Sequence, residues 1–229
     1  MAMTTRTSNE QSAPRRDTGF SLVELTLAMA IVLTITGLTA VLLAGSFNIR
    51  TRENQKSSAL ADAQRALNAM SREIANSGFG LSNNGIVTYD SSSTTIRVRA
   101  NLNAFDRETS SNQVTDSDED VLYKLFSDST QSYVERVDVN SGIRTTILAN
   151  RVDALVIRYF PDKVDYTSGD CNIVATGDVT DKSLAKYIVI VACVQLPAVG
   201  TQGSPGYQPI SKVQLISDVT LRNSDLRTY

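Results

Sequence analysis

Histidine and tryptophan are both absent from the 229 residues, and cysteine occurs only twice. Without histidine the commonest acid-base group and metal ligand is missing, which excludes a Ser/His/Asp triad and any His-bearing zinc site. Two cysteines alone do not complete a structural zinc site. There is no Gly-x-Ser-x-Gly, no phosphate-binding glycine loop and no pair of carboxylates in apolar surroundings. Lysine and arginine (22) nearly balance aspartate and glutamate (24), and no broad basic field points to nucleic acid as a partner. Proline is missing between Pro14 and Pro161, so nothing there forbids a long helix. Charge is missing too: from Phe20 to Phe47 the only ionisable side chain is Glu24.

At about 1.5 Å per residue, a helix over 20–47 is roughly 42 Å long, more than a hydrocarbon core requires. This run reads as one membrane span. Arg6, Arg15 and Arg16 precede it, which favours a cytoplasmic start and a head outside, although Arg50, Arg52 and Lys56 follow it closely. A carboxylate inside such a span costs about 2.5 to 3.5 kcal/mol at the bilayer centre, so Glu24 calls for a cation. Cutting the chain between Gly19 and Phe20 creates one, the α-amino group of Phe20, about one helical turn from Glu24.

Gly19-Phe20-Ser21-Leu22-Val23-Glu24, behind a short basic leader and ahead of an unbroken apolar run, resembles the class III signal of type IV prepilins and type II secretion pseudopilins. The resemblance implies that a prepilin peptidase cuts after Gly19 and methylates the amine of Phe20. It also implies that Glu24 pairs with the Phe20 amine of a neighbouring subunit when the helix moves from the bilayer into a filament core. The other reading is an ordinary signal anchor that tolerates a glutamate.

Beyond the span, Leu60, Ala63, Leu67, Met70 and Ile74 step by three and four, with Arg65, Asn68, Arg72 and Glu73 on the other side. One helix is expected from about Phe20 to Asn76, roughly 85 Å, capped near Thr18 and stopped by Ser77-Gly78. The segment 66–80, ending Gly78-Phe79-Gly80, is similar to the end of the spine helix in PilW-like minor pilins. It fits equally well an ordinary helix stop with glycine after the last turn.

From there the period changes to two. Strands are expected at 86–89, 94–99, 121–126, 133–139, 143–148, 154–160, 186–196 and 212–221, with a hairpin at Asn140-Ser141-Gly142. The run 186–196 is apolar without alternation and reads as buried on both faces. The order of these strands and the ending Leu155-Val156-Ile157-Arg158-Tyr159 also look like minor pilins and the J-type pseudopilin, which implies one mainly antiparallel sheet against the spine. The fold class is α+β, with a type IV pilin fold implied. The expected divisions are a cleaved leader at 1–19, a membrane or filament-core half-helix at 20–47, an amphipathic half-helix at 48–77 and a periplasmic β-rich head at 78–229.

Cys171 and Cys193 lie 22 positions apart in the portion assigned to an oxidising compartment, where a disulfide is the favoured reading. The alternative is that Cys193 is a buried thiol in its apolar strand. Asp116, Asp118, Glu119 and Asp120 have oxygens suited to Ca²⁺ but lack the glycine-centred pattern of an EF-hand, so a solvated acidic loop is the favoured account and no metal is assigned. Arg97, Arg99 and Arg107 read either as a patch for an acidic ligand or as a solvated strand face. Two polar loops, 101–120 and 161–182, and the Gly/Pro-rich stretch 198–209 are expected to carry whatever is particular to this chain.

The combined reading is a minor pilin, a non-enzymatic subunit with no cofactor that helps start or tip a type IV pilus. The alternative is a J-type pseudopilin of type II secretion. A signal-anchored periplasmic enzyme has less support, and display as an adhesin or receptor at a pilus tip is compatible with the leading reading. The partners implied are the prepilin peptidase, other minor and major pilins, the assembly platform and the inner membrane, with the subunit passing from that membrane to the cell surface.

Overall fold

The computed structural model describes residues 19–104, 114–128, 132–149 and 151–224. The expected leader up to Thr18, and Arg107, lie outside them. The chain divides into two compact units, Met1–Ala44 and Gly45–Tyr229. Helix α1 (Leu22–Ala75) starts in the first and ends in the second. In its first turn the Ser21 carbonyl accepts the Leu25 N–H at 3.1 Å; the expected cap at Thr18 lies outside the described residues. The absence of proline lets it run for 54 residues. It stops at Ala75, followed by turns in which Gly78 has φ +81°, a conformation that costs glycine nothing, and the Gly78 N–H donates to the Arg99 carbonyl at 2.8 Å.

Nine strands follow among the described residues: β1 (Thr95–Arg99), β2 (Asp120–Ser127), β3 (Ser132–Asp138), β4 (Arg144–Leu148), β5 (Val152–Phe160), β6 (Thr167–Gly169), β7 (Asn172–Val174), β8 (Tyr187–Leu196) and β9 (Ser211–Thr220). Every pairing among them is antiparallel. The architecture is α+β, one long N-terminal helix with antiparallel sheets.

The strands do not form the single sheet expected from the sequence. β1-β2-β3-β4 make a meander, β5-β8-β9 a second sheet with β8 central, and β6-β7 a separate hairpin. Among the described residues β4 pairs only with β3 and β5 only with β8, and register shifts at Val134/Glu135 and Val152/Ala154 bend the strands on either side of the break. The two sheets are stitched where the Ile157 N–H donates to the Ser93 carbonyl at 2.7 Å. There too, Tyr159 Oη lies 3.0 and 2.9 Å from the carbonyls of Ser92 and Thr95.

The expected strand at 86–89 is also corrected. Only Ile86 bridges to Val98 before a 3-10 turn at Thr88–Asp90. Asn83 and Asn84 side chains take the N–H groups of Gly85 and Ile86, which holds the chain in turns where a ladder would have to form. Loop 161–182 in turn contains the short β6-β7 hairpin.

The main core lies between α1 and the inner faces of both sheets: Ala63, Leu67, Met70 and Ile74 meet Ile96, Val98, Tyr123, Val134, Leu155, Ile157, Ile188 and Ile190. A second cluster, Phe160, Tyr187, Val189, Val191 and Cys193, lies on the opposite face of the β5-β8-β9 sheet and is covered by Cys171 and Ile173 of the hairpin. Successive β8 side chains enter opposite clusters, which is why that strand is apolar at nearly every position.

Candidate functional site

The structure places Gly19 and Phe20 immediately ahead of the helix and Glu24 in its first turn, where unpaired N–H groups favour a negative charge. No hydrogen bond or ion pair to Glu24 occurs among the described residues. A Cβ added at Gly19 meets nothing within 4 Å, so the fold of this chain does not require glycine there. Every residue from 19 to 44 is exposed, including Phe20 at 84% and Leu22 at 78%. The hydroxyls of this stretch turn inward: Thr26, Thr34, Thr36 and Thr39 each donate to a carbonyl three or four residues back, at 2.7 to 2.9 Å. Polar groups satisfied within the helix leave an outer surface suited to hydrocarbon or to other apolar helices. By length and composition the helix is able to cross a membrane.

Of the acidic group of the head, Asp116 and Asp118 are exposed, as a solvated loop would have them, whereas Glu119 and Asp120 are buried. Asp120 receives Arg97 Nε and Nη2 at 2.7 Å each and Arg99 Nε at 2.8 Å, and Arg97 also pairs with Asp90. The hydrogen bond to Asp120 is the main reason the Arg97 guanidinium holds its proton more tightly than usual. Asp118 pairs with Arg136 at 2.7 Å, Asp116 accepts from Asn103 at 2.5 Å, and Glu119 takes the amides of Leu102, Thr115 and Asp116. The weak calcium candidates Asp116, Asp118 and Asp120 therefore face protein donors, and no group of three metal-capable side chains comes together among the described residues. Arg97 and Arg99 thus both meet the internal carboxylate of Asp120.

Glu73, placed by its periodicity on the polar face of α1, also has an internal partner. Tyr123 Oη donates to it at 2.5 Å and Arg136 Nε at 3.0 Å. Burial and the neighbouring Glu73 charge push the Tyr123 hydroxyl up, so it stays neutral. A cavity of about 320 Å³ lies alongside, lined by Glu73, Arg99, Asp118, Glu119 and Arg136. Its arginines are committed to carboxylates, an arrangement that ties the end of α1 to the β1-β2-β3 meander and leaves little to do acid-base chemistry. The sulfurs of Cys171 and Cys193 are bonded, with their Cα atoms 5.7 Å apart.

One residue of consequence escaped the sequence reading. Arg52 is 7% exposed and its guanidinium donates to the carbonyls of Pro197, at 2.8 Å, and Pro209. The available signal was heptad spacing: Gly45, Arg52, Ala59 and Ala66 recur every seven residues along the buried stripe of α1, and Arg52 is its one charge.

No protein-family model matches the chain, and no curated protein matches it. Among solved structures, the chain is similar to a type IV-like pilin from Thermus thermophilus, 9% identical, with a TM-score of 0.40 over 72% of this chain and 97% of that one. At that identity and score the likeness adds nothing to the functional case, which stands on the residues described above.

Proposed function

We propose that this chain is a filament subunit of the pilin type, a minor pilin that helps start or tip a type IV pilus. The observation that carries the reading is the first part of α1: an exposed, internally satisfied apolar surface from 19 to 44 with Glu24 as its lone charge, continuous in sequence with a helix that builds the head's core. An apolar surface of that extent needs a bilayer or a bundle of like helices to cover it. In the prepilin resemblance it takes each in turn. The leader is removed after Gly19, the Phe20 amine is methylated, and the head faces the periplasm until assembly brings it to the cell surface. Glu24 then neutralises the Phe20 amine of an adjoining subunit, so that neither charge is left unpaired in the filament core. The partners are the prepilin peptidase, the assembly platform and other pilins, and the subunit itself has no catalytic residue.

The test is intact mass and N-terminal sequencing from cells with and without the prepilin peptidase. A mature chain starting at methylated Phe20 only when the peptidase is present is the expected result, and retention of Gly19 in both strains removes the proposal. Gly19→Trp should abolish cleavage. Glu24→Ala should be cleaved as usual but reach sheared filaments at least tenfold less, since a lone buried ammonium costs several kcal/mol; wild-type incorporation of that variant rejects the Glu24 to Phe20 pairing. Co-purifying major pilins or secretion pseudopilins distinguish a pilus from a type II secretion system.

A further inference from the structure

The loop between β8 and β9 folds back along α1. Its two ends are fixed at Arg52 through the carbonyls of Pro197 and Pro209. Val199 and Gln208 pair through two backbone hydrogen bonds of 2.9 Å, and Gly200 lies against the Asn48 side chain. Its tip meets Gly45, where a Cβ on Gly45 would sit 3.7 Å from the Gly206 Cα. Gly206 has φ +75°, and a Cβ there would overlap the Gly45 backbone, so the approach depends on glycine at 206. From Arg52 to Gly45 the loop descends seven residues of helix, about 10 Å. Gly45, Ser46 and Phe47 are the last residues of the apolar run. The tip is thus level with the end of the span and not with the body of the head.

Its composition is unusual for exposed chain. Between Lys186 and Lys212 there is no charged residue. Inside β8 burial explains this. In the loop it does not, because Pro197, Ala198, Gly200 to Gly203, Pro205, Pro209 and Ile210 are exposed. The exposed loop 161–182, by contrast, carries Asp162, Lys163, Asp165, Asp170, Asp178, Asp181 and Lys182. On the same turns of the helix, Phe47 and Ile49 are about half exposed and Arg50 follows as an exposed cation, while Ile210 at the end of the loop is 60% exposed. Apolar and neutral polar groups topped by an arginine match the order of environments across a bilayer interface, from acyl chain to headgroup phosphate.

We propose that this loop is a foot that seats the head on the lipid surface before assembly, with its tip among the headgroups and Arg52 locking it to the helix. The proposal rests on the reading of 20–47 as a membrane span, and the experiment separates the two. Because the chain has no tryptophan, single substitutions report cleanly. Phe47→Trp, Gln202→Trp and Tyr89→Trp, each in the full chain, are reconstituted into phosphatidylcholine/phosphatidylglycerol vesicles. Quenching by lipids brominated near the headgroup end of the chain, and by aqueous iodide, is then read for each.

Tryptophan at 47 and at 202 should be quenched by the brominated lipid and shielded from iodide at least threefold relative to tryptophan at 89. If 202 is as open to iodide as 89 while 47 is lipid-quenched, the foot is rejected and the span stands, leaving the loop for a protein neighbour. If 47 itself is not lipid-quenched, the membrane reading falls and the foot with it. Tryptophan prefers interfaces on its own account, so Arg52→Gln is added to Gln202→Trp. Release of the loop should at least halve lipid quenching, whereas unchanged quenching means that the probe inserted itself, which overturns the proposal.

Discussion

Asp138, at the end of β3, accepts five hydrogen bonds: from the Ser117 and Ser141 hydroxyls at 2.8 and 2.7 Å, and from the amides of Asp118, Asn140 and Ser141 at 3.0, 3.1 and 3.2 Å. It is 2% exposed. Burial alone would raise its pKa, but the hydrogen bonds from Ser141, Ser117 and the two nearby amides outweigh that and hold the carboxyl well below the usual carboxylate range. The folded state therefore binds this proton more weakly than the unfolded chain does. Its contribution is complete above the unfolded value of about 3.9 and drains away as pH falls further. Urea unfolding of the head should show stability falling between about pH 4 and pH 2. Asp138→Asn should cost about 2 kcal/mol at pH 7, because an amide N–H₂ then faces donors, and should flatten that acid limb. An unchanged acid limb in the variant assigns the loss to other carboxylates. The sequence offered Asn140-Ser141-Gly142 as the hairpin signal, and Gly142 does close the turn onto the Asp138 carbonyl at 2.8 Å. The residue that organises the turn is the aspartate before it, whose role depends on Ser117 arriving from 21 positions away.

The β6-β7 hairpin is the least self-sufficient element. Its strands are three residues each, and it stands apart from both sheets, with Ile173 and the Cys171–Cys193 bond attaching it to the outer face of β8. Two-stranded hairpins of this size are marginal in water. Replacing both cysteines by alanine should lower the head's stability by about 3 kcal/mol on loop-closure grounds and speed amide exchange at 167–174 while β8 and β9 stay protected. Thiols that alkylate without reductant in the native protein would refute this. The hairpin shows why some elements were not legible: Thr167-Ser168-Gly169 has no apolar alternation, and its order comes from a contact with β8 and not from its own pattern. β2, β3, β5, β8 and β9 were legible because their alternation or continuous apolarity records which faces they bury. The division into two sheets was not, since it depends on which edges meet. The ion pairs of Asp120 with Arg97 and Arg99 were hidden for a similar reason: the cross-strand register sets Arg97 opposite Leu122 and Arg99 opposite Asp120, and an acidic run read alone looks solvated.

At the scale of the whole molecule, the two units depend on different surroundings. Among the described residues, the buried members of the main core begin at Ala59, and those of the second at Phe160, with Ala154 and Val156 packed against it. Residues 19–44, by contrast, are all exposed. The apolar run and Glu24 could be read from sequence because a surface without internal partners is described fully by its composition. What holds the rest of the helix to the head was less visible, since a lone arginine gives no hint of the carbonyls it will meet 145 and 157 positions later. A chain starting at Gly45 should accordingly be soluble and monomeric, and should melt in one cooperative transition with the full chain's β-sheet circular dichroism. A chain starting at Ala59 keeps every core residue but loses Gly45 and Arg52. It should still melt cooperatively, at a temperature several degrees lower, with amide exchange at Val199 and Gln208 at least tenfold faster. Loss of the cooperative melt in the first truncation would show that the head needs the span to fold; equal exchange in both would show that the β8-β9 loop is held by its own turns and not by the helix.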